Sequence, residues 1–120
     1  MPVSLAPRPE GAPRQRDALR LDVDDPHVLH VAGEVDVAVV LDFAEAYGVA
    51  KDDVGQALAA AGVDVIDLSE ATFIDSSVVA VVVTIAMRQR GTRVRVRGAT
   101  GSPLMTLQVS GLDSIVDLEA

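Results

Sequence analysis

The sequence predicts an α/β domain with a mixed β-sheet of four to five strands and helices packed mainly on one face. Three observations support this fold class. Short apolar or alternating segments typical of strands recur along the chain, longer apolar segments that end at glycines lie between them, and the two kinds follow the order ββααβαβαβ. Helical segments between strands are typical of crossover connections, which place helices against a sheet.

The first half of the chain predicts a hairpin followed by two helices. Asp24-Asp25-Pro26 is a turn signal between two apolar segments, so the segments are expected to pair as a hairpin. Gly48 and Gly62 are suited to ending the helices that follow. The predicted elements are strands at residues 18–23 and 27–35 and helices at residues 37–47 and 52–61.

The second half predicts three strands that alternate with two helices. The apolar run at residues 78–87 is rich in valine, which by itself favours a strand. Asp75 before this run and Gly91 after it are helix-capping residues, so we predict a buried helix. The predicted elements are strands at residues 63–68, 92–97 and 114–118, a helix at residues 76–90, and a helix that begins at Ser102-Pro103 and ends at Gly111. A short loop is expected between the strand that ends at residue 68 and Asp75.

Composition indicates one domain with one aliphatic core. The chain has 120 residues, of which 49% are hydrophobic and only 2% aromatic. Residues 1–17 hold four of the six prolines and predict a disordered leader, which leaves residues 18–120 as the domain. The longest apolar run is about half of the roughly 20 residues that a membrane span needs. The N-terminus lacks a signal-peptide core, so we expect a cytoplasmic protein without a membrane span.

Charge and cysteine content exclude several function classes. The absence of cysteine excludes disulfides, thiolate catalysis and cysteine-based zinc sites. The net charge is -8, and Lys51 is the only lysine or arginine between residues 21 and 87, a stretch with thirteen acidic residues. Such a domain repels nucleic acid, so direct nucleic-acid binding is not expected.

The triplet Asp75-Ser76-Ser77 is the most informative motif in the chain. It lies where an apolar strand gives way to the predicted helix, beside backbone N–H groups that lack partners in the helix. Hydroxyl side chains there serve as ordinary helix caps, and a phosphate at the same place would be well held. The motif therefore has two interpretations, a structural cap or a phosphorylation switch.

Other candidate sites have weaker support. Arg93, Arg95 and Arg97 alternate along one strand, so they form either a solvated face or a docking surface for an acidic partner. His27 and His30 have no clear partners for a metal site. No serine, histidine and aspartate pattern supports nucleophilic catalysis, and no glycine-rich nucleotide loop is present, so we expect no cofactor.

Three blocks of sequence resemble the STAS domain family and, within it, the bacterial anti-sigma factor antagonists. The resemblance extends from about residue 21 to residue 118. The blocks are Gly33-Glu34-Val35-Asp36, Val65-Ile66-Asp67-Leu68-Ser69 with Phe73-Ile74-Asp75-Ser76-Ser77, and Val109-Ser110-Gly111-Leu112. The resemblance implies a STAS-like sheet with helices mainly on one face.

The resemblance also implies a function as a phosphorylation-gated binding module that is not itself an enzyme. In that family the second hydroxyl residue after the aspartate is phosphorylated, which corresponds to Ser77, with Ser76 as the less favoured position. The partner is an ATP-binding anti-sigma factor serine kinase with a histidine-kinase-like fold. The unphosphorylated antagonist binds this kinase and frees a sigma factor. The candidate residues for partner binding are Asp36, Asp75, Ser76 and Val78, and the family usually has glycine where this chain has Val78. The alternatives are a solvated turn acid for Asp36, an N-cap for Asp75 and a structural role for Ser76.

Two other functions remain open at the level of sequence. One is a STAS adaptor that is never phosphorylated and serves as a subunit of a transporter or a stress-signalling complex. The other is a receiver-like domain phosphorylated on Asp67 or Asp75, although the chain lacks a suitable late lysine. The oligomeric state is expected to be a monomer or a weak homodimer.

Overall fold

The computed structural model of the chain describes residues 18–89 and 91–119 and has the predicted α/β architecture. Within those ranges it contains five strands in one mixed sheet and four α-helices. The strands are β1 (Leu19–Leu21), β2 (Val28–Val35), β3 (Val65–Ile74), β4 (Arg95–Arg97) and β5 (Asp117–Glu119). The helices are α1 (Val37–Tyr47), α2 (Val54–Ala60), α3 (Ser76–Arg88) and α4 (Gly101–Val109). The predicted leader, residues 1–17, lies outside the described residues.

The strands lie in the sheet in the order of the sequence. β1 pairs with β2 in the antiparallel sense, and β2, β3, β4 and β5 pair successively in parallel. Crossovers between parallel strands are right-handed in nearly all proteins, so successive crossovers in one direction place their helices on the same face. Asp67 and Arg97 each follow a buried residue, Ile66 and Val96, in neighbouring strands, so they lie on the opposite face of the sheet.

The core fills the space between the sheet and the helices. It is almost entirely aliphatic, with Ile66, Val96 and Leu107 fully buried. Phe43 of α1 contributes the largest buried side chain, and its ring lies 4.5 Å from the ring of Tyr47. No helix within residues 18–89 and 91–119 combines the length and the apolar character that a membrane crossing requires.

The structure corrects the predicted loop after residue 68. β3 continues without a break to Ile74, because β2 offers backbone partners as far as Val35, which pairs with Ile74. Irregularities in the register at residues 30–32 and 33–34 accommodate the extra length. Only one residue, Asp75, separates the strand from α3.

Several smaller boundaries also differ from the prediction. The last strand, predicted over residues 114–118, is Asp117–Glu119, because Leu112–Ser114 forms a 3-10 turn. The helix predicted over residues 52–61 is α2 (Val54–Ala60), because Lys51–Asp53 also forms a 3-10 turn. Helix α4 begins at Gly101 with Thr100 as its N-cap, so Ser102 is inside the helix and Pro103 is its third residue. Proline is tolerated there because the first-turn N–H groups have no partner within the helix. Helix α3 ends at Arg88 because Gln89 adopts an extended backbone, and the predicted end at residue 90 lies outside the described ranges. The strand predicted over residues 92–97 is ordered as a strand only over Arg95–Arg97.

Candidate functional site

The candidate site lies where β2 and β3 end side by side. Val35 pairs with Ile74 across the two strands, and the amide of Asp75 donates to the carbonyl of Val35 at 3.3 Å. Asp36 and Asp75 therefore follow neighbouring strands at one edge of the sheet, where α1 and α3 begin. In open α/β sheets this carboxyl edge is the usual place for binding sites.

Asp36 is the N-cap of α1. Its backbone is extended, and its Oδ1 accepts hydrogen bonds from the amides of Ala38 at 3.0 Å and Val39 at 3.3 Å. The Ala38 amide is one of the first-turn donors that have no carbonyl partner inside the helix, and the Val39 amide is shared with the backbone carbonyl of Asp36 at 3.1 Å. Asp36 is exposed, so its carboxylate is also available at the surface.

Asp75 holds the starts of two helices at once. Its Oδ1 accepts from the amide of Ser77 at 2.9 Å, which caps α3, and it also accepts from the Ser77 hydroxyl. Its Oδ2 accepts from the amide of Val37, the first residue of α1, at 3.2 Å. One carboxylate therefore ties together two elements that are 38 residues apart in the chain.

The two serines of the motif have different environments. Ser76 is exposed, whereas Ser77 is half-buried and directs its hydroxyl hydrogen to Asp75. A hydroxyl group has one hydrogen to donate and two lone pairs, so the lone pairs of Ser77 Oγ are not used by this contact. A hydroxyl hydrogen-bonded to a carboxylate is the arrangement from which an oxygen nucleophile is activated.

Ser77 lines a small cleft between α1, α2 and α3. The cleft has a volume of about 100 Å³ and is lined by Val40, Lys51, Asp52, Gly55, Ser77, Ala80, Val81 and Thr84. Lys51 and Asp52 belong to a short 3-10 turn, Lys51–Asp53, that precedes α2. The turn thus brings the chain's single lysine to the same cleft as Ser77.

Ser76 lines a larger and mainly apolar groove between α3 and α4. The groove has a volume of about 320 Å³ and is lined by Ser76, Val79, Met105, Thr106, Val109 and Ser110. Met105 is 63% exposed and Val109 is 83% exposed. Exposed apolar side chains therefore lie directly beside the serine motif.

Val78 is placed differently from the other residues implied for partner binding. Its side chain is only 2% exposed and packs in the hydrophobic core. A direct contact between this side chain and a partner protein is therefore not available in the structure. The valine occupies core volume and leaves the surface around Ser76 and Ser77 open.

The arginines in β4 and just before it are paired with acidic residues of the neighbouring strands. Arg93 Nε lies 2.8 Å from Asp117 Oδ1, Arg95 Nη1 lies 3.7 Å from Glu119 Oε2, and Arg97 Nε lies 3.2 Å from Asp67 Oδ2. Much of the positive charge on this face is thus compensated within the sheet, which weakens its use as a docking surface for an acidic partner.

Asp67 is held in its charged form by this network. Burial raises the pKa of Asp67, but hydrogen bonds from the hydroxyl and amide of Ser69, together with the Arg97 guanidinium, outweigh burial and leave the pKa below its usual value. Asp67 lies within β3, on a different part of the molecule from the serine motif. Its contacts give it a structural role in the sheet.

Both histidines have local structural contacts. His27 Nδ1 lies 2.7 Å from the carbonyl oxygen of Gly62, and His30 Nε2 lies 2.6 Å from Asp22 Oδ2. Within the described ranges, no three histidine, aspartate or glutamate side chains are grouped closely enough to hold a metal ion.

The structure therefore brings four of the predicted residues to one edge of the sheet. Asp36, Asp75, Ser76 and Ser77 are neighbours there, and Val78 lies beneath them. Sequence reasoning did not connect Lys51 with this site. The available signal was the isolation of one cation within a long acidic stretch, but only the fold shows that the turn carrying it faces Ser77.

Comparison with known families agrees with this architecture. A family model described as "Mlab, STAS domain" matches residues 19–117, which covers β1 to β4 and all four α-helices and ends at the first residue of β5. No curated protein matches the chain significantly. The extent of the family match, together with the five-stranded mixed sheet, shows that this chain belongs to the STAS domain family.

Proposed function

We propose that this protein is an anti-sigma factor antagonist that binds an anti-sigma factor serine kinase and is released when Ser77 is phosphorylated. STAS domains are in general binding domains without enzyme activity of their own. The observation that carries the proposal is the environment of Ser77. Its hydroxyl donates a hydrogen bond to Asp75 at the N-terminal end of α3. The proposed outcome is control of sigma-factor-dependent transcription.

The chemistry of the switch follows from the contact between Ser77 and Asp75. Phosphorylation forms a bond between Ser77 Oγ and the γ-phosphorus of ATP and breaks the bond from that phosphorus to the β–γ bridging oxygen, which releases ADP. The hydroxyl proton is released to solvent. The ester oxygen can no longer donate to Asp75, and the phosphoryl group adds about -1.5 to -2 charges beside that carboxylate. A contact that stabilises the unmodified site therefore becomes repulsive.

Partner release follows from the same charges. Asp36 and Asp75 already make this edge acidic, and the chain carries a net charge of -8. An added phosphoryl group repels an acidic rim on the kinase and disrupts any hydrogen bond that the partner makes with Ser77. The inward direction of Val78 supports the proposal, because its side chain does not obstruct access to Ser77.

A second candidate function is a STAS adaptor subunit of a transporter or signalling complex. The observation that favours it is the apolar groove beside Ser76, with the exposed side chains of Met105 and Val109. The free energy of an apolar contact depends on the area that is buried. The stability of an assembly held by this groove would therefore not depend on the charge at Ser77. A transporter subunit that presents apolar side chains is the partner this function requires.

The direct test compares charge at Ser77 with the same charge elsewhere. Ser77→Asp is expected to lose binding to the kinase, and Ser77→Ala is expected to retain it. Ser114→Asp is the matched control, because Ser114 is exposed and lies just before β5, at the opposite edge of the parallel strands. Equal kinase binding by Ser77→Asp, Ser77→Ala and Ser114→Asp would overturn the phosphorylation switch.

The partner is identified by a pull-down with the full chain in the absence of added ATP. Recovery of an ATP-binding serine kinase that then phosphorylates Ser77 but not the Ser77→Ala variant supports the antagonist. Recovery of a transporter subunit whose binding is lost in Met105→Asp and unaffected in Ser77→Asp supports the adaptor instead.

A further inference from the structure

The cleft beside Ser77 contains a feature that the phosphorylation proposal does not by itself require. Ser77 and Lys51 line the same cavity of about 100 Å³, with Asp52, Gly55 and Thr84 among the other lining residues. This volume is well above the roughly 10–15 Å³ that a single water molecule needs. The cavity thus offers room for a polar group attached to Ser77.

The preferred position of a phosphoryl group on Ser77 follows from its neighbours. Ser77 Oγ now donates to Asp75 Oδ1, and an ester oxygen with no hydrogen can only repel that carboxylate. The cleft is the other environment that Ser77 contacts, and Lys51 is the cation in its lining. Rotation of the modified side chain away from Asp75 and toward the cleft therefore exchanges a like-charge contact for an opposite-charge contact.

Lys51 is weakly engaged in the unmodified protein. Its Nζ lies 3.7 Å from Oδ1 of the adjacent Asp52, whose side chain is 93% exposed, while the Lys51 side chain is 42% exposed. A contact of this length between exposed neighbours contributes little, so it does not prevent Lys51 from turning to a stronger anion. A phosphoryl group with three acceptor oxygens is such an anion.

We propose that Lys51 is the counter-ion of the phosphoryl group on Ser77, and that it draws this group into the cleft between α1, α2 and α3. This inference rests on the proposed function, because it concerns the phosphorylated state of the same serine. It adds a second consequence to phosphorylation. The modification releases Asp75 from the Ser77 hydroxyl and at the same time ties the Lys51–Asp53 turn to the start of α3.

The inference is tested without any kinase, so its outcome is separate from that of the proposed function. Phosphoserine is incorporated at position 77 of the full chain by genetic encoding, and the second ionisation of the phosphate is followed by ³¹P NMR. The charges that face the phosphate are those of Asp75, Asp52 and Lys51. Lys51→Gln is expected to raise the phosphate pKa by about 0.5, the size of effect expected from a partly exposed ion pair.

Two control variants distinguish a local contact from a change in net charge. Lys51→Arg keeps the cation and is expected to leave the phosphate pKa close to that of the parent. Arg88→Gln removes the same charge from the far end of α3, about 16 Å away along the helix, and is expected to have much less effect.

Because Lys51 is the chain's single lysine, its own state is also observable. Reductive ¹³C-methylation labels its amine, which remains charged, and the signal is expected to shift with the phosphate titration in the phosphoserine protein and not in the unmodified one. Equal phosphate pKa values in the parent, Lys51→Gln and Arg88→Gln proteins, with no response of the lysine signal, would overturn the inference.

Discussion

Asp75 does more than an ordinary helix cap because its two carboxylate oxygens serve different helices. Oδ1 is used by α3 through Ser77, and Oδ2 is used by α1 through the amide of Val37. The residue next to the predicted phosphorylation site therefore also fixes the relative position of two helix starts. A modification that perturbs Asp75 is therefore expected to weaken the hydrogen bonds at the starts of both helices.

We expect Asp75→Ala to lower the free energy of unfolding by about 2 kcal/mol, because it removes an N-cap and the link to α1 together. Asp36→Ala is the matched control, since Asp36 caps α1 alone, and its expected loss is about 1 kcal/mol. Urea denaturation of both variants measures the difference. If Asp75→Ala costs no more than Asp36→Ala, the bond to Val37 contributes nothing to stability.

Asp22 provides a prediction about pH. The hydrogen bond from His30 is the largest of the causes that lower the pKa of Asp22 to about 2, and the amides of Asp24 and Asp25 add to it. Because the pKa in the folded protein is below the unfolded value of about 3.9, the contribution to stability is complete above about pH 4. It is lost as the pH falls toward 2.

We therefore expect the Asp22 carboxyl in His30→Gln to titrate closer to pH 4 than in the parent, as followed by ¹³C NMR. Stability should then decline less steeply between pH 4 and pH 2 in Asp22→Asn than in the parent. An unchanged Asp22 titration in His30→Gln would show that the bond to His30 is not the cause of the low pKa.

At the scale of elements, α2 packs unusually close to α3 at Gly55. A Cβ atom built on Gly55 would lie 2.7 Å from Thr84 Cβ and 3.0 Å from the carbonyl oxygen of Val81. Neither atom is the far end of a flexible side chain, so the two helices would have to separate. This contact also forms one wall of the cleft that contains Ser77 and Lys51.

We expect Gly55→Ala to destabilise the protein by about 1–3 kcal/mol, as overpacking usually does. The sign of the change in stability distinguishes crowding from helix propensity. Alanine has a higher helix propensity than glycine by about 1 kcal/mol, so it would stabilise an uncrowded helix. Gln56→Ala at the neighbouring exposed position is the control and is expected to change stability little. A thermal melt that shows Gly55→Ala more stable than the parent would contradict the close packing.

The sequence predicted elements well where local signals determine them. Helix α1 has the predicted bounds because Asp36 and Gly48 mark its two ends, and Gly48 adopts the left-handed conformation expected of a C-terminal glycine. The length of β3 was missed because Ser69, Glu70 and Thr72 resemble a loop. Those residues are in a strand because β2 continues beside them, which is information about pairing and not about local composition.

The candidate site was likewise predictable only where local signals determine it. The order of Asp75, Ser76 and Ser77 before an apolar run indicated the cap, and the structure has it. The contact of Asp75 with Val37, and the shared cleft of Ser77 and Lys51, join residues that are far apart in the chain. Such contacts depend on how the helices pack and have no local sequence signal.

At the scale of the whole molecule, the lengths of the strands are unequal. β2 and β3 have eight and ten residues, whereas β4 and β5 have three each. All three residues of β5 are exposed, and β5 lies at one edge of the sheet. The backbone hydrogen bonds of the sheet should therefore open at very different free energies.

We expect the amides in the middle of β2 and β3 to exchange with solvent at least about 100-fold more slowly than the amide of Leu118 in β5. Hydrogen exchange of the full chain followed by NMR measures this, with the buried turns of α3 as an internal reference. Equal protection in β5 and β3 would show that the sheet opens only as a unit.

The order of the strands in the sheet has a consequence for how the protein is made. Each strand pairs with the strand that precedes it in the sequence, so no strand has to wait for a partner that is synthesised later. Contacts between segments that are near each other in the sequence form fastest. The edge that holds Asp36, Asp75 and Ser77 is built from β2, β3 and the starts of α1 and α3. This edge can therefore form before β4 and β5 add to the sheet.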